Sequence, residues 1–172
     1  MRNAVEALDD EDAETLYKSI EWFSVTETAV KSYLDEYKEK GILNSDSMVI
    51  THSIGTKIIP KYLVKNNLNI DTFVSVAGFV DYSGTRTDYI VDVMKITKVS
   101  DEEFDKCKEL IKNRYSIYSD NDSNSPLEKC VKYADKLDAE KVLVKGAGHF
   151  TQEDNVTEIK ELNGIIKDYI NK

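Results

Sequence analysis

At 172 residues, with 41% hydrophobic and 32% charged side chains, the chain is sized for one domain with a substantial core. Its net charge of −9 weighs against nucleic acid and anionic membranes as partners, because phosphates require clustered Lys and Arg. No apolar run reaches the ~18 residues of a membrane span and no signal-peptide pattern opens the chain, so a cytoplasmic protein is expected.

Residues 10–21 place Ala13, Leu16, Tyr17 and Ile20 at helical spacing after an acidic start. Ser24-Val-Thr-Glu27 fits a capping box for the next helix. That helix would carry Val25, Ala29, Tyr33, Leu34 and Tyr37 on one apolar face and stop at Gly41. Residues 1–46 therefore read as a helical N-terminal segment. Met48–His52 reads as a buried strand and residues 54–65 as the helix after it. Pro60 should kink or shorten that helix, and Asn66-Asn67 can end it in a left-handed turn.

Thr72–Ala77 is a second strand candidate, and residues 78–99, without a sustained period, read as a loop or small cap. Ser100-Asp-Glu-Glu103 opens a capped helix running to about residue 112. Arg114–Ser119 follows as the third strand. Ser125-Pro126-Leu-Glu128 combines an N-cap serine, a proline at the first helical position and a return glutamate, for a helix to Leu137. Lys141–Lys145 is the fourth strand. Asn155-Val-Thr-Glu158 caps a last helix with Ile159, Leu162, Ile166 and Ile170 on one side.

Strand and helix thus alternate from residue 48 onward. Connections of that length imply parallel strands with right-handed crossovers. The fold class is α/β: a single domain over residues 1–172, built as a three-layer α/β/α sandwich with a mostly parallel sheet of about four strands. Ligands in such sheets bind beyond the carboxyl ends of the strands. Residue 53, the loop after Ser119 and the loop after Lys145 all fall there.

Thr51-His52-Ser53-Ile54-Gly55 sits at the first strand-to-helix break. A serine there stands clear of the sheet at the mouth of a helix, where backbone N–H groups can stabilise an oxyanion. The pattern is G-x-S-x-G with Thr51 in place of the first glycine. Serine chemistry also needs a base and an acid to orient it. Asp120 and Asp122, in the loop after the third strand, are both candidates for the acid and both candidates for simple turn capping. His149 follows the fourth strand in Gly146-Ala-Gly-His149-Phe, and its plainer reading is a surface-loop histidine. Ser53 alone could equally be a turn residue; the chain order Ser…Asp…His gives it partners. Cys107 and Cys130 lack C-x-x-C spacing and the two histidines lack metal-ligand spacing, so packing thiols and no metal are expected. No phosphate-cradling glycine motif appears, and no cofactor is expected.

Three motifs in order, His52-Ser53-x-Gly55, Ser119-x-x-Asp122-x-x-x-Pro126 and Gly146-x-Gly148-His149-Phe150, resemble the small serine hydrolases typified by retinoblastoma-binding protein nine and the bacterial YdeN proteins. The resemblance runs from Val49 to Phe150. It implies an α/β-hydrolase core with Ser53 as nucleophile, His149 as general base and the Ile54 backbone N–H as half of an oxyanion hole. It selects Asp122 as the acid, because the family's acid stands four residues before the proline. It implies cleavage of a small ester, thioester or amide. His52 precedes the nucleophile in the family as well, and is expected to pack or hydrogen-bond locally, pointing away from the position of a base. With His52, Phe79, Tyr82 and Tyr89 are candidates to line a pocket.

The family pattern departs at the front. Its members begin with a strand ending in a His-Gly loop, then a helix and a second strand, whereas the first glycine here is Gly41. The resemblance therefore implies a core truncated at its N-terminal side relative to the family, with Met48–His52 at a sheet edge and one oxyanion donor short. Three readings follow: a hydrolase whose start lies upstream, a protein that completes its sheet as a homodimer, or a catalytically weak or inactive relative that acts by binding.

Overall fold

Short runs rich in Val, Ile and Phe, each followed by a helix long enough to return the chain, build a parallel sheet in the computed structural model, which describes residues 28–80 and 98–172. Its strands, β1 (Met48–His52), β2 (Ile70–Val76), β3 (Ile111–Ser119) and β4 (Glu140–Val144), lie in the order β1-β2-β3-β4. Val49 pairs with Phe73, Phe73 with Arg114 and Ile117 with Val142, all in parallel register. The described helices are α1 (residues 28–39), α2 (Gly55–Asn66), α3 (Asp101–Leu110), α4 (Leu127–Leu137) and α5 (Lys160–Ile170).

Alternation along β2 sends Phe73 and Val74 to opposite faces, and each face has its own core. Phe73 packs with Ile59 and Leu63 of α2, Phe104 and Cys107 of α3, and Tyr133 and Leu137 of α4. Val74, Val76 and Ile117 pack under Ile159, Leu162 and Ile165 at α5. The three crossover helices therefore cover one face and α5 the other, the expected three layers. Full burial of a side chain the size of Phe73 contributes roughly 1.5–3 kcal/mol.

Several boundaries differ from expectation. The capping box of α3 forms in both directions: Glu103 N–H donates to Ser100 Oγ at 3.1 Å, and Ser100 N–H to Glu103 Oε2 at 2.7 Å. However, α3 stops at Leu110 and the chain enters β3 at Ile111 without a loop. Ile111 is fully buried and pairs with Ile70, which draws a polar stretch into the sheet three residues before Arg114. Ser125 does not cap α4. Pro126 takes the N-cap position and no side chain bonds there; Ser125 Oγ is buried without a partner while its N–H donates to Asp122 Oδ1 at 2.9 Å. The expected cap of the last helix is also absent: Asn155 sits in a left-handed turn at φ +60°, and α5 begins at Lys160. Ile165 rather than Ile166 joins the core there, while Ile170 is 71% exposed.

Pro60 neither breaks nor shortens α2, which continues to Asn66 before a left-handed Asn67. Proline removes the donor that would have served the Thr56 carbonyl four residues earlier. The buried Tyr133 hydroxyl donates to that carbonyl instead, at 2.6 Å. Strand β1 is less buried than its apolar run suggested. It pairs only with β2 among the described residues, and Ile50 is 42% exposed. Among the described residues it lies at a sheet edge, as the resemblance implied.

In α1, Leu34 packs on the core and Asp35 Oδ1 accepts from Tyr62 Oη at 2.7 Å, but Tyr33 and Tyr37 are exposed. Gly41 ends the following turn at φ +69°. The expected helix at 10–21, the Ser24–Glu27 capping box, and Tyr82 and Tyr89 lie outside the described residues. No helix among the described residues is long and apolar enough to cross a membrane.

Candidate active site

Ser53 joins β1 to α2 with φ +52°, a left-handed backbone that costs a non-glycine residue roughly 1–3 kcal/mol. Its neighbours hold it there. Ser53 N–H continues the ladder to the Val76 carbonyl at 2.9 Å, and its own carbonyl accepts from Thr56 N–H at 3.1 Å and Thr56 Oγ1 at 2.6 Å. Thr51, which stands where the elbow pattern has a glycine, lies opposite Gly55. A Cβ placed on Gly55 would meet Thr51 Cβ at 3.5 Å, so the two residues stand in ordinary van der Waals distance across the break. Ile54 occupies the N-cap position of α2, and its N–H is among the donors that a helix start leaves without helical partners.

The loop after β4 brings His149 to this serine. His149 Nδ1–H donates to Asp122 Oδ2 at 2.8 Å, and His149 Nε2 lies 3.0 Å from Ser53 Oγ. Since Nδ1 carries the proton given to the carboxylate, Nε2 is left to accept from the serine hydroxyl. The Asp122 side chain is fully buried, while that of His149 keeps 12% of its surface exposed. Asp122 is fixed at both oxygens, because Oδ1 accepts from Asn124 N–H at 2.8 Å and Ser125 N–H at 2.9 Å. Three segments distant in sequence thus converge in one hydrogen-bonded chain, Asp122–His149–Ser53.

Asp120, the rival acid, does something else. Its Oδ1 accepts from Gly146 N–H at 2.8 Å. This is the first of four consecutive N–H groups held by side chains. Ala147 N–H donates to Ser119 Oγ at 3.0 Å, Gly148 N–H to Asn121 Oδ1 at 2.8 Å and His149 N–H to Asp154 Oδ2 at 2.9 Å. Ser119 Oγ in turn donates to Asn121 Oδ1 at 2.7 Å. Gly146, Gly148 and Phe150 all have positive φ, and the turn's own closure is the Phe150 N–H to Ala147 carbonyl bond, so these four donors turn to side chains. Ser119, Asn121 and Asp154 were not anticipated. Their signal was a strand end of consecutive polar residues set against a Gly-Ala-Gly turn with four donors to place.

His52 does not bond locally. Its Nε2 lies 2.8 Å from the carbonyl oxygen of His149, across 97 positions of sequence, with the two rings 4.8 Å apart. Phe79 is only 3% exposed and lies under the Lys57 ammonium, which is 4.5 Å from its ring and donates to the Val80 carbonyl at 3.0 Å. It therefore packs in the interior and offers little surface to a ligand. Burial pushes the thiols of Cys107 and Cys130 up to about 12, so both stay protonated as packing groups.

A family model described as serine hydrolase matches residues 13–167. The match begins well before Val49 and takes in helical sequence where the motifs alone showed a departure. Among solved structures, the ydeN gene product of B. subtilis is similar at TM-score 0.67 and 20% identity, covering 83% of this chain and 74% of that one. A serine hydrolase from Cycloclasticus zankles is similar at TM-score 0.59 and 12% identity, covering 81% and 68%. A carboxylesterase from the thaumarchaeon Nitrososphaera gargenis is similar at TM-score 0.58 and 10% identity, covering 84% and 71%. These likenesses establish a shared α/β-hydrolase fold. No curated protein matches the sequence.

Proposed function

Because the chain belongs to the serine hydrolase family, we propose that it cleaves a small ester, thioester or amide through an acyl-enzyme on Ser53. The observation that carries this reading is the continuous Asp122–His149–Ser53 chain, with links of 2.8 and 3.0 Å, ending on a serine held at positive φ above a helix start. As the Ser53 oxygen attacks the substrate carbonyl, His149 Nε2 takes its proton, and the buried Asp122 carboxylate stabilises the imidazolium. The Ile54 N–H faces the developing oxyanion as one donor of its hole. His149 then returns the proton to the leaving alcohol, thiol or amine. Water, deprotonated by the same nitrogen, releases the acid and regenerates Ser53.

The two unpaired, buried cysteines fit a reducing compartment, so the activity is assigned to the cytoplasm. The partner is the small-molecule substrate, and a second copy pairing along the β1 edge is the other partner to test by size in solution. The archaeal neighbour is itself named a carboxylesterase, and an ester is the substrate to try first. A series of p-nitrophenyl esters of rising acyl length tests the reading. Turnover should fall by on the order of 10³-fold or more in Ser53→Ala and in His149→Ala. If the folded protein hydrolyses none of them, the reading gives way to a catalytically weak relative that acts by binding.

A further inference from the structure

Base and nucleophile come from loops almost a hundred residues apart, so their 3.0 Å contact depends on the backbone that carries each ring or hydroxyl. Asp122 orients the His149 ring but does not hold its peptide. That peptide is gripped twice by side chains: Asp154 Oδ2 accepts from its N–H at 2.9 Å, and His52 Nε2 lies 2.8 Å from its carbonyl oxygen. A carbonyl oxygen only accepts, so His52 Nε2 carries the hydrogen and donates. His52 is also the residue bonded directly to Ser53, which makes the link a direct tie between the nucleophile's own strand and the base's backbone. The base loop needs such a tie. It has positive φ at Gly146, Gly148 and Phe150, and its internal closure is a Phe150 N–H to Ala147 carbonyl bond of 2.9 Å. The sheet does not pair the two segments directly, since β1 and β4 lie at opposite ends of the order with β2 and β3 between them.

We propose that His52 is a positioning residue that sets the reach of His149 to Ser53 by donating to the His149 carbonyl. This rests on the hydrolase reading above. His52 acts through its hydrogen bond and takes no proton from substrate or serine. It lies at the exposed end of β1, where water competes for the same carbonyl, so the loss on removal is moderate rather than complete. A displacement of the base by about 1 Å is enough to slow the acyl-transfer step up to 10²-fold without altering how substrate is held.

The test compares the full chain with His52→Phe, which keeps a ring and removes the donor, and His52→Gln, whose Nε2 amide stands at the same distance along the side chain and cannot ionise. His52→Phe should lower kcat about 10-fold with KM unchanged, and should broaden or shift the downfield NMR signal of the His149 Nδ1 proton. His52→Gln should restore both. Equal kcat and an unchanged signal in His52→Phe overturn the proposal, as does a failure of His52→Gln to differ from His52→Phe. If the wild-type chain shows no Ser53-dependent turnover, the hydrolase reading has failed separately. The proton signal then decides alone whether His52 positions the ring.

Discussion

The Asp154 carboxylate fills the space that a side chain on Gly148 would need: a Cβ there would meet Asp154 Oδ1 at 2.1 Å and Cγ at 2.3 Å. That close approach is what lets Oδ2 accept from His149 N–H, from Thr151 N–H at 3.1 Å and from Thr151 Oγ1 at 2.7 Å. These bonds hold the Asp154 carboxyl below the usual carboxylate range, with the neighbouring His149 a smaller contribution.

Gly148→Ala should therefore displace Asp154 and the His149 backbone together, lowering kcat on a p-nitrophenyl ester on the order of 10²-fold. Gly146→Ala is the control. It has the same left-handed backbone, at φ +72°, but its Cβ would meet nothing within 4 Å. It should cost about 1–2 kcal/mol of stability and leave kcat within a few-fold of wild type. Steady-state kinetics and urea unfolding of the two variants separate a geometric effect from backbone strain.

Tyr133 and Pro60 form a compensating pair. Tyr133→Phe leaves the buried Thr56 carbonyl without its hydroxyl donor and should cost about 1–3 kcal/mol in urea unfolding. Pro60→Ala supplies the missing N–H within the helix. The double variant should be more stable than Tyr133→Phe alone, with a coupling of about 1 kcal/mol. Additive losses would remove the compensation.

Acid should weaken the sheet at Asp71. Its carboxylate accepts from Lys172 Nζ at 2.8 Å, Thr72 Oγ1 at 2.7 Å and Asn113 Nδ2 at 3.2 Å, and faces Lys112 Nζ at 3.3 Å. The Lys172 bond comes first among the causes that hold it well below the ordinary 3.8. A depressed folded value means the contribution is fully present above the unfolded value near 4 and is lost as the pH falls toward the folded one. Stability measured by urea unfolding should drop through that window in the wild type. Asp71→Asn should start lower and show a shallower drop.

The alternation of apolar strands and capped helices foretold the parallel order and the two covered faces because each signal is local: a β-rich run, a Ser-x-x-Glu, a glycine stop. Failures came where a distant partner outbid a local preference. Ser125 is a local exception: it reads as an N-cap, yet its hydroxyl caps nothing and its N–H turns back to the nearby Asp122 carboxylate. Pro60 reads as a helix breaker until Tyr133, far along the chain, supplies the donor that the Thr56 carbonyl lacks. Ile111 to Asn113 looks too polar for a strand until Ile70 and Thr72 pair with it.

The candidate site follows the same division. Ser53, Asp122 and His149 could be picked out by motif and order, and the structure places His149 within hydrogen-bonding distance of both Ser53 and Asp122. What Asp120, Ser119, Asn121 and Asp154 do depended on the turn at 146–149, whose donors have no counterpart in the motif. His52 bonds to a carbonyl 97 residues away, which no spacing rule reaches.

Covalent labelling with a fluorophosphonate, read as intact mass and mapped by peptide digestion, bears most directly on the claim that His149 activates Ser53. One adduct is expected on the peptide that contains Ser53 in the wild-type chain, absent in Ser53→Ala and slowed by on the order of 10³-fold in His149→Ala. A folded wild-type chain that forms no adduct, or one labelled just as fast without His149, would contradict it.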